Sequence, residues 1–185
     1  MVKPGSFQEK VLIGKLKLKD KEAFSKIYDL YVDKIYRFVY FKVSSIPEAE
    51  DITSQIFLKI WQLSLEGKIK AEKSFQAFLY KIARNTVIDY YRDLRNKRQT
   101  VSLEEAINTP DEKTVAQDKE MDKEIEKEDL AEKIKKLKSE YQEIIILHYL
   151  NELSIKEIAD ILKKRKGNVR VILHRALKAL KESSD

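Results

Sequence analysis

Residues 154–180 read SIKEIADILKKRKGNVRVILHRALKAL, and this stretch determines the fold of the second half of the chain. Ser154 and Glu157 have the S-x-x-E spacing of a capping box, which marks the first turn of a helix. Apolar residues at helical spacing follow as far as Leu162, and after a short turn they resume at Val169. Two short helices joined by a tight turn, the second strongly basic, are typical of a helix-turn-helix.

The second of these helices carries only positive charge, because residues 163–181 contain eight Lys and Arg and no Asp or Glu. One side is apolar and is expected to pack on the preceding helix: Val169, Ile172, Leu173, Ala176, Leu177 and Leu180. The opposite side consists of Lys166, Arg170, Val171, His174, Arg175, Lys178 and Lys181. Charged faces that only keep a protein in solution normally mix signs, so this face predicts a helix that enters the major groove of DNA.

Three helix starts in the first half predict a helical bundle. Asp20 can cap one helix, Ser44 or Ser45 followed by Pro47 can start the next, and Ser74 can cap a third. Between about residues 20 and 96 the apolar residues follow helical spacing, as in a bundle of three or four helices. The chain is therefore predicted to be all-α, with a helical domain over residues 1–98, a flexible acidic linker over 99–129 and a helix-turn-helix domain over 130–185.

The charge distribution divides the 185-residue chain in the same way. Residues 1–101 contain 20 Lys and Arg against 12 Asp and Glu, residues 102–129 contain 4 against 11, and residues 130–185 contain 13 against 8. Two basic blocks favour a polyanion as partner over a role in solubility alone.

Cys is absent, which excludes disulfides and thiolate metal sites. Without a signal peptide or an apolar span, we expect a cytoplasmic protein that does not insert into membranes.

The first basic block combines cations with aromatic residues on one predicted helix. Lys81, Asn85, Asp89, Arg92 and Asn96 fall on one face, Arg84, Ile88 and Arg95 border it, and Tyr91 lies at its edge. Cations can hold phosphates there, and Asn and aromatic side chains can bind an unstacked base. The alternative is that the aromatic residues belong to the core. Asp89 is expected to pair with Arg92 or Arg84 and to orient it.

The order of three motifs resembles the extracytoplasmic-function, or group-four, sigma factors of bacterial RNA polymerase. The motifs are EAEDITSQIFLKIW over residues 48–61, FLYKIARN over 78–85 with Ile88, Asp89, Tyr90 and Arg92, and LSIKEIA over 153–159 with GNVR over 167–170 and LHRA over 173–176. The resemblance covers about residues 20–98 and 130–182. It implies a region 2-like first domain and a region 4-like second domain, without the extra domains of larger sigma factors.

The resemblance also implies partners and site residues. Core RNA polymerase would bind through the clamp of its largest subunit, at Asp51, Ser54 and Gln55, and through the flap of its second subunit. The melted minus-ten strand would contact Lys81, Arg84, Asn85, Tyr91, Arg92 and Arg95, with Asn85 near a flipped base. The minus-thirty-five duplex would contact Arg165, Lys166, Asn168, Arg170, Val171, His174, Arg175 and Lys178. Family members are often held inactive by an anti-sigma factor that covers these surfaces. No cofactor, metal, small-molecule substrate or catalytic residue is implied.

Several positions depart from the family pattern. Ser54 and Gln55 replace a more usual Gln and acid. Lys163 lies in the turn where Gly or Asn is common, and a left-handed Lys costs roughly 1 kcal/mol. Arg165 replaces a Ser-like cap, so the recognition helix is expected to start later, at about Asn168. Val171 and Ile172 replace polar or basic residues, and Val171 could contact a thymine methyl group.

Two other classes of function compete with this interpretation. The first is a helix-turn-helix transcription regulator that acts without sigma function, with residues 1–98 as a sensing or oligomerising domain. The second is a metal-dependent nuclease with Asp89 and Asp93 as ligands. Arg92 and Arg95 surround these two carboxylates, and no His or third carboxylate is near, so ion pairing is favoured over metal binding.

Overall fold

The computed structural model describes residues 4–43, 45–69, 74–101 and 123–182, and helices connected by turns make up this described part. The first domain contains α1 (Phe7–Lys17), α2 (Lys21–Tyr40), α3 (Ile46–Leu65) and α4 (Phe75–Val101). The second contains α5 (Lys123–Lys136), α6 (Ser139–Ile145), a π-helical turn (Ile146–Leu150), α7 (Ile155–Leu162) and α8 (Lys166–Glu182). The predicted all-α class is confirmed.

Side-chain caps set the starts of the helices in the first domain. Asp20 accepts a hydrogen bond from the Ala23 amide at 2.9 Å and caps α2, as predicted. Ser45 caps α3, whose first turn contains Pro47, whereas the alternative cap Ser44 lies outside the described residues. The Ser74 hydroxyl accepts from the Ala77 amide at 3.2 Å at the start of α4. Each cap satisfies an amide that the first helical turn leaves without a partner.

The core of the first domain lies where α2, α3 and α4 pack against one another. Its fully buried residues come from all three helices: Ile27, Tyr31, Ile35, Phe38, Ile52, Ile56, Ile60, Leu79 and Tyr80. Burial raises the pKa of both Tyr31 and Tyr80. This packing orients α4 so that a polar stripe along it stays outside the bundle.

Helix α1 was not predicted from the sequence. It packs on α2 through Leu12 and Leu16, and the buried Glu9 accepts hydrogen bonds from the Tyr31 hydroxyl and the Gly5 amide. Apolar residues also occur on its exposed sides, where Phe7 and Val11 are 80% and 43% exposed. No single apolar stripe was therefore visible in the sequence.

The helix-turn-helix prediction is confirmed in its local geometry. Ser154 and Glu157 form the reciprocal capping box that starts α7. Lys163 ends α7 in the left-handed conformation, with φ 53° and ψ 41°. Helix α8 then packs on α6 and α7, with Val169 and Ala176 buried, although Leu177 is 38% exposed and does not belong to the packed side. The expected later start of the recognition helix at Asn168 is wrong, because α8 begins at Lys166.

The structure describes only the two ends of the predicted linker over residues 99–129. Helix α4 continues to Val101 and α5 already begins at Lys123, since good helix formers extend both helices into the charged segment. Residues 102–122 lie outside the described residues.

The two domains are in direct contact. Helix α4 packs on α7, α2 packs on the π-helical turn, and buried apolar residues of both domains form one hydrophobic cluster. The sequence allowed many relative placements of the domains, and this contact determines which parts of α4 remain open.

Candidate nucleic-acid interface

The α8 face consists of the positions predicted to contact duplex DNA, and all of them are exposed: Arg165, Lys166, Asn168, Arg170, Val171, His174, Arg175 and Lys178. Val171 is 48% exposed although it is apolar. Burial of Val169 and Ala176 against α6 and α7 fixes the rotation of α8 and turns this face outward. The arrangement presents cations, an amide and a β-branched side chain together, which suits contacts to both phosphates and base edges.

Most cations of the α8 face have no carboxylate partner. Lys178 lies 3.7 Å from Glu182, and Lys164, just before the helix, lies 2.9 Å from Glu140. Arg170 and Arg175 form no ion pair within the described part of the chain. Their guanidinium groups are therefore available to an external anion.

The α4 face contains the residues predicted to contact single-stranded DNA: Lys81, Arg84, Asn85, Tyr91, Arg92 and Arg95. Asn85, Arg92 and Arg95 are exposed, and the Tyr91 ring is 44% exposed while its hydroxyl donates to the Lys42 carbonyl. Asp89 pairs with Arg92 at 3.1 Å, one of the two partners expected for it. The exposed amide of Asn85 thus lies on a helix face that also carries cations and an aromatic ring.

Two cations of the α4 face are engaged by the second domain instead of being open. The Lys81 ammonium lies 2.6 Å from Asp160 Oδ2 of α7, and Arg84 Nε lies 3.0 Å from Glu143 Oε1 of α6. The side chains of Arg84 and Glu143 are only 33% and 11% exposed. Neither pair could be predicted from sequence spacing, because the partners are 79 and 59 residues apart.

A cavity of about 330 Å³ lies beside Arg84, between α2, α4 and α6. Lys42, Ile88 and Tyr91 contribute to its wall together with Glu143. Burial lowers the pKa of Lys42, and the charge of Arg84 lowers it further, whereas Glu143 acts in the opposite direction. Lys42 was not among the predicted site residues, because it lies in the turn after α2 and no spacing rule connects it with α4. Ile88 is 46% exposed and extends the α4 face with an apolar surface next to Asn85.

The α3 face contains the predicted polymerase-binding residues Asp51, Ser54 and Gln55, all exposed. Gln55 Nε2 donates to Asp51 Oδ2 at 2.7 Å, so the two side chains form one polar unit. Leu58 is 61% exposed on the same helix, seven residues from Asp51, and was not predicted as a site residue. The sequence could have indicated Leu58, because it is an apolar residue that lies outside the helical stripe of Ile52, Ile56 and Ile60.

The described residues contain no group of three or more His, Cys, Asp or Glu that could hold a metal ion. None of the described helices is long and apolar enough to cross a membrane. His148 is partly buried, with Nδ1 at 2.9 Å from the Leu153 carbonyl.

Comparison with protein families gives two matches. The family described as "Sigma-70 region 2" matches residues 27–97, and the family described as "Sigma-70, region 4" matches residues 127–180. The first match includes the α3 and α4 faces, and the second includes the α8 face.

Two curated relatives align with nearly the whole chain. The ECF RNA polymerase sigma factor SigW of Bacillus subtilis is 30% identical over 180 residues, covering 92% of this chain and 93% of the relative. The ECF RNA polymerase sigma factor BldN of Streptomyces coelicolor is 28% identical over 173 residues and covers 91% of this chain. The aligned part spans 63% of the length of BldN.

Two solved structures share the fold. CnrH, in complex with the cytosolic domain of CnrY, superposes with a TM-score of 0.69 at 17% identity and covers 94% of this chain and 95% of that one. The sigma factor RpoE of Bartonella quintana, in complex with the anti-sigma factor NepR, gives a TM-score of 0.69 at 21% identity and covers 86% and 95%. At these identities the likeness concerns the arrangement of helices.

Proposed function

Because the chain belongs to the extracytoplasmic-function sigma factors of bacterial RNA polymerase, we propose that its three exposed helix faces divide polymerase binding and promoter recognition between them. As a sigma factor, the chain binds core RNA polymerase and directs transcription initiation at specific promoters. The observation that carries this conclusion is the 30% identity with SigW over 180 residues, since it spans both domains. A helix-turn-helix regulator without sigma function would resemble SigW only in the second domain.

The α8 face reads the minus-thirty-five duplex. Arg170 and Arg175 are exposed, lack an ion-pair partner among the described residues and lie on the outward side of a helix anchored by Val169. Arginine can donate two hydrogen bonds to the major-groove edge of guanine. Lys178, near the other end of the helix, contacts a phosphate and positions the helix. Val171 supplies an apolar contact for a thymine methyl group.

The α4 face binds the melted minus-ten strand. Opening duplex DNA costs about 1.4 kcal/mol per base-pair step in lost stacking. Asn85, with Ile88 one turn along α4 and Tyr91 one turn beyond Ile88, can bind one unstacked base and offset a few kcal/mol of this cost. Arg92 and Arg95 lie farther along the same exposed side and hold the backbone.

The α3 face docks on the clamp of the largest polymerase subunit. The hydrogen-bonded pair of Asp51 and Gln55 supplies a polar contact of fixed geometry, and the exposed Leu58 supplies an apolar one. Ser54 lies between them on the same side of the helix. The second domain contacts the flap of the second subunit.

The chain has no chemical step of its own in this account. RNA polymerase makes the phosphodiester bonds, and the chain supplies binding energy for recognition and strand opening, so it is a cytoplasmic transcription factor and not an enzyme. The family implies regulation by an anti-sigma factor. Such a protein would bind this chain by covering the α3, α4 and α8 faces.

Reconstitution with core RNA polymerase tests this function. We expect the holoenzyme to initiate at a set of genomic sites that core polymerase alone does not use, and sequencing of transcript 5′ ends should find a common upstream motif. Tight, specific binding to duplex DNA without polymerase, with no new start sites in its presence, would instead identify a regulator that acts alone.

A further inference from the structure

We propose that α1 binds the surface of an anionic phospholipid bilayer, with Phe7, Val11 and Leu18 at the boundary between headgroups and acyl chains. The lysines beside them contact the lipid phosphates. None of the residues assigned to the α3, α4 and α8 faces lies on α1, so this binding is separate from promoter recognition.

The side of α1 that points away from the bundle is apolar. Phe7 is 80% exposed, Val11 is 43% exposed, and Leu18, which directly follows the helix, is 81% exposed. At 100° per residue these three positions and Gly14 fall within a sector of about 60°, opposite the side that packs on α2 and α3. We call these four positions the α1 face. Exposed apolar side chains that share one face mark an interaction surface, whereas scattered ones are ordinary.

Lysines border the α1 face on both sides. Lys10 and Lys17 lie along one edge, Lys15 lies along the other, and Lys19 follows the end of the helix. All four are exposed, and none forms an ion pair within the part of the chain that the structure describes. Their ammonium groups are therefore available to an external anion.

No carboxylate offsets these lysines on the outer side of α1. Glu9 and Asp20 are the only acidic residues between positions 4 and 21. Glu9 is buried and accepts a hydrogen bond from the Tyr31 hydroxyl, and Asp20 accepts one from the Ala23 amide as the cap of α2. The outer side of α1 is thus apolar along its middle and cationic along both edges.

Charge argues against a second copy of this chain as the occupant of the α1 face. An antiparallel pair of α1 helices would bring the lysines at the edges of both copies together, and like charges across an interface repel. The three exposed apolar side chains of each copy would also bury far less than the roughly 1,200 Å² of a stable interface. An anionic partner meets neither obstacle.

A bilayer surface fits both parts of the α1 face. Amphipathic helices that lie in the membrane interface bury Phe and Leu at the headgroup boundary and are rich in Lys beside them. The stems of these lysines can follow the apolar surface while their ammonium groups stay with the lipid phosphates, and each Lys near an anionic leaflet adds to the attraction. Phe7 and Leu18 project individually from the helix, and a fluid boundary accommodates such side chains without preformed pockets.

Gly14 distinguishes a bilayer from a protein helix as the occupant. A Cβ atom added at Gly14 meets nothing within 4 Å, so a larger residue fits there without disturbing the fold. On a bilayer, Gly14→Leu adds one apolar side chain to the α1 face and should increase the affinity. A partner helix that places a side chain over the gap at Gly14 would instead be displaced by the leucine.

Binding of the full chain to lipid vesicles, without polymerase or DNA, tests the proposal. The wild type should bind vesicles of equal parts phosphatidylcholine and phosphatidylglycerol and should not bind vesicles of phosphatidylcholine alone. Binding should weaken as salt is raised from about 0.1 M to about 1 M, because the Debye length falls from about 10 Å to about 3 Å.

Matched variants assign the binding to the α1 face. Phe7→Ser, Leu18→Ser leaves every charge in place and should lower the affinity for the anionic vesicles about tenfold, whereas Gly14→Leu should raise it about threefold. The control Leu65→Ser, Leu130→Ser removes two exposed leucines from other helices and should bind like the wild type.

Three outcomes would overturn the proposal. A wild type that does not prefer anionic vesicles would remove the lipid partner. Equal affinities of the wild type and Phe7→Ser, Leu18→Ser would show that the cations of the α4 and α8 faces account for the binding. A lower affinity of Gly14→Leu would indicate a protein helix instead of lipid. If circular dichroism shows that Phe7→Ser, Leu18→Ser has lost helical structure, the direction of the Gly14→Leu effect decides alone.

Discussion

Glu157 accepts a hydrogen bond from Ser74 Oγ at 2.8 Å while its other carboxylate oxygen accepts from the Ser154 amide at 3.0 Å. One side chain therefore closes the capping box of α7 and ties that helix to the start of α4. Burial acts to raise the pKa of Glu157, but the hydrogen bonds from Ser154 and Ser74 outweigh it, and the net pKa is lowered. The charged form of Glu157 thus stabilises the folded chain.

The stabilisation by Glu157 should disappear in acid. Because its pKa is lowered in the folded state, its contribution is complete above the unfolded value of about 4.3 and is lost as the pH falls through the folded value. At pH 6 the Glu157→Gln variant should be less stable by about 1 kcal/mol, which lowers Tm by about 2–4 °C. Thermal unfolding of wild type and variant at pH 6 and pH 3 measures the difference.

At pH 3 the difference between the two Tm values should be smaller than at pH 6. Glu152→Gln is the matched control, since Glu152 is exposed and has no hydrogen bond in the described part of the chain, and it should change Tm little at pH 6. A Tm difference for Glu157→Gln that stays the same at both pH values would show that its charge does not contribute.

Lys163→Gly should stabilise the chain. Lys163 has φ 53°, and a side chain in the left-handed region costs roughly 1 kcal/mol that Gly does not incur. Thermal unfolding should show a Tm higher by about 2–4 °C. Lys156→Gly, at an exposed position inside α7, is the control and should lower Tm, since Gly within a helix costs about 1 kcal/mol. A lower Tm for both variants would contradict the strain at Lys163.

Asp51→Lys should weaken assembly with core polymerase. The substitution reverses a charge on the α3 face and removes the acceptor of the Gln55 hydrogen bond, so we expect a loss of about 1–2 kcal/mol, or roughly tenfold. Co-purification with core polymerase measures it, with Asp29→Lys on the exposed side of α2 as the matched charge reversal. Undiminished co-purification of the Asp51 variant would place the polymerase contact elsewhere.

Asn85→Ala should impair strand opening more than polymerase binding. The exposed amide of Asn85 is proposed to bind a flipped base, and its loss should cost about 1–3 kcal/mol of open complex. Permanganate footprinting of thymines in the minus-ten region reports this directly, and Asp93→Ala, at another exposed position of α4, serves as control. Normal melting by the Asn85 variant would remove it from that role.

The sequence predicted the parts of the fold that depend on local pattern. The capping box of Ser154 and Glu157 follows from spacing within one turn, and the structure confirms it. Helix α1 escaped prediction because its buried residues are Leu12, Leu16 and the acidic Glu9, which do not form an apolar stripe. The start of α8 was misplaced because Arg165 lacks a capping side chain, and the helix nevertheless begins directly after it.

The candidate site was predicted less completely than the fold. Helical spacing identifies which residues share the α4 and α8 faces, because that geometry is local. It also identified the short-range pair of Asp89 and Arg92. The engagement of Arg84 by Glu143 depends on how two domains pack, and no spacing rule connects residues that are 59 positions apart.

The central claim is that the α8 face recognises promoter DNA for polymerase, and run-off transcription by the reconstituted holoenzyme tests it most directly. Arg170→Ala and Arg175→Ala should each reduce transcription from a promoter with a minus-thirty-five element by about 1–3 kcal/mol, or roughly 5- to 150-fold. Lys181→Ala, which removes one exposed cation near the end of α8, should have a smaller effect. Unchanged product with both arginine variants would contradict the claim.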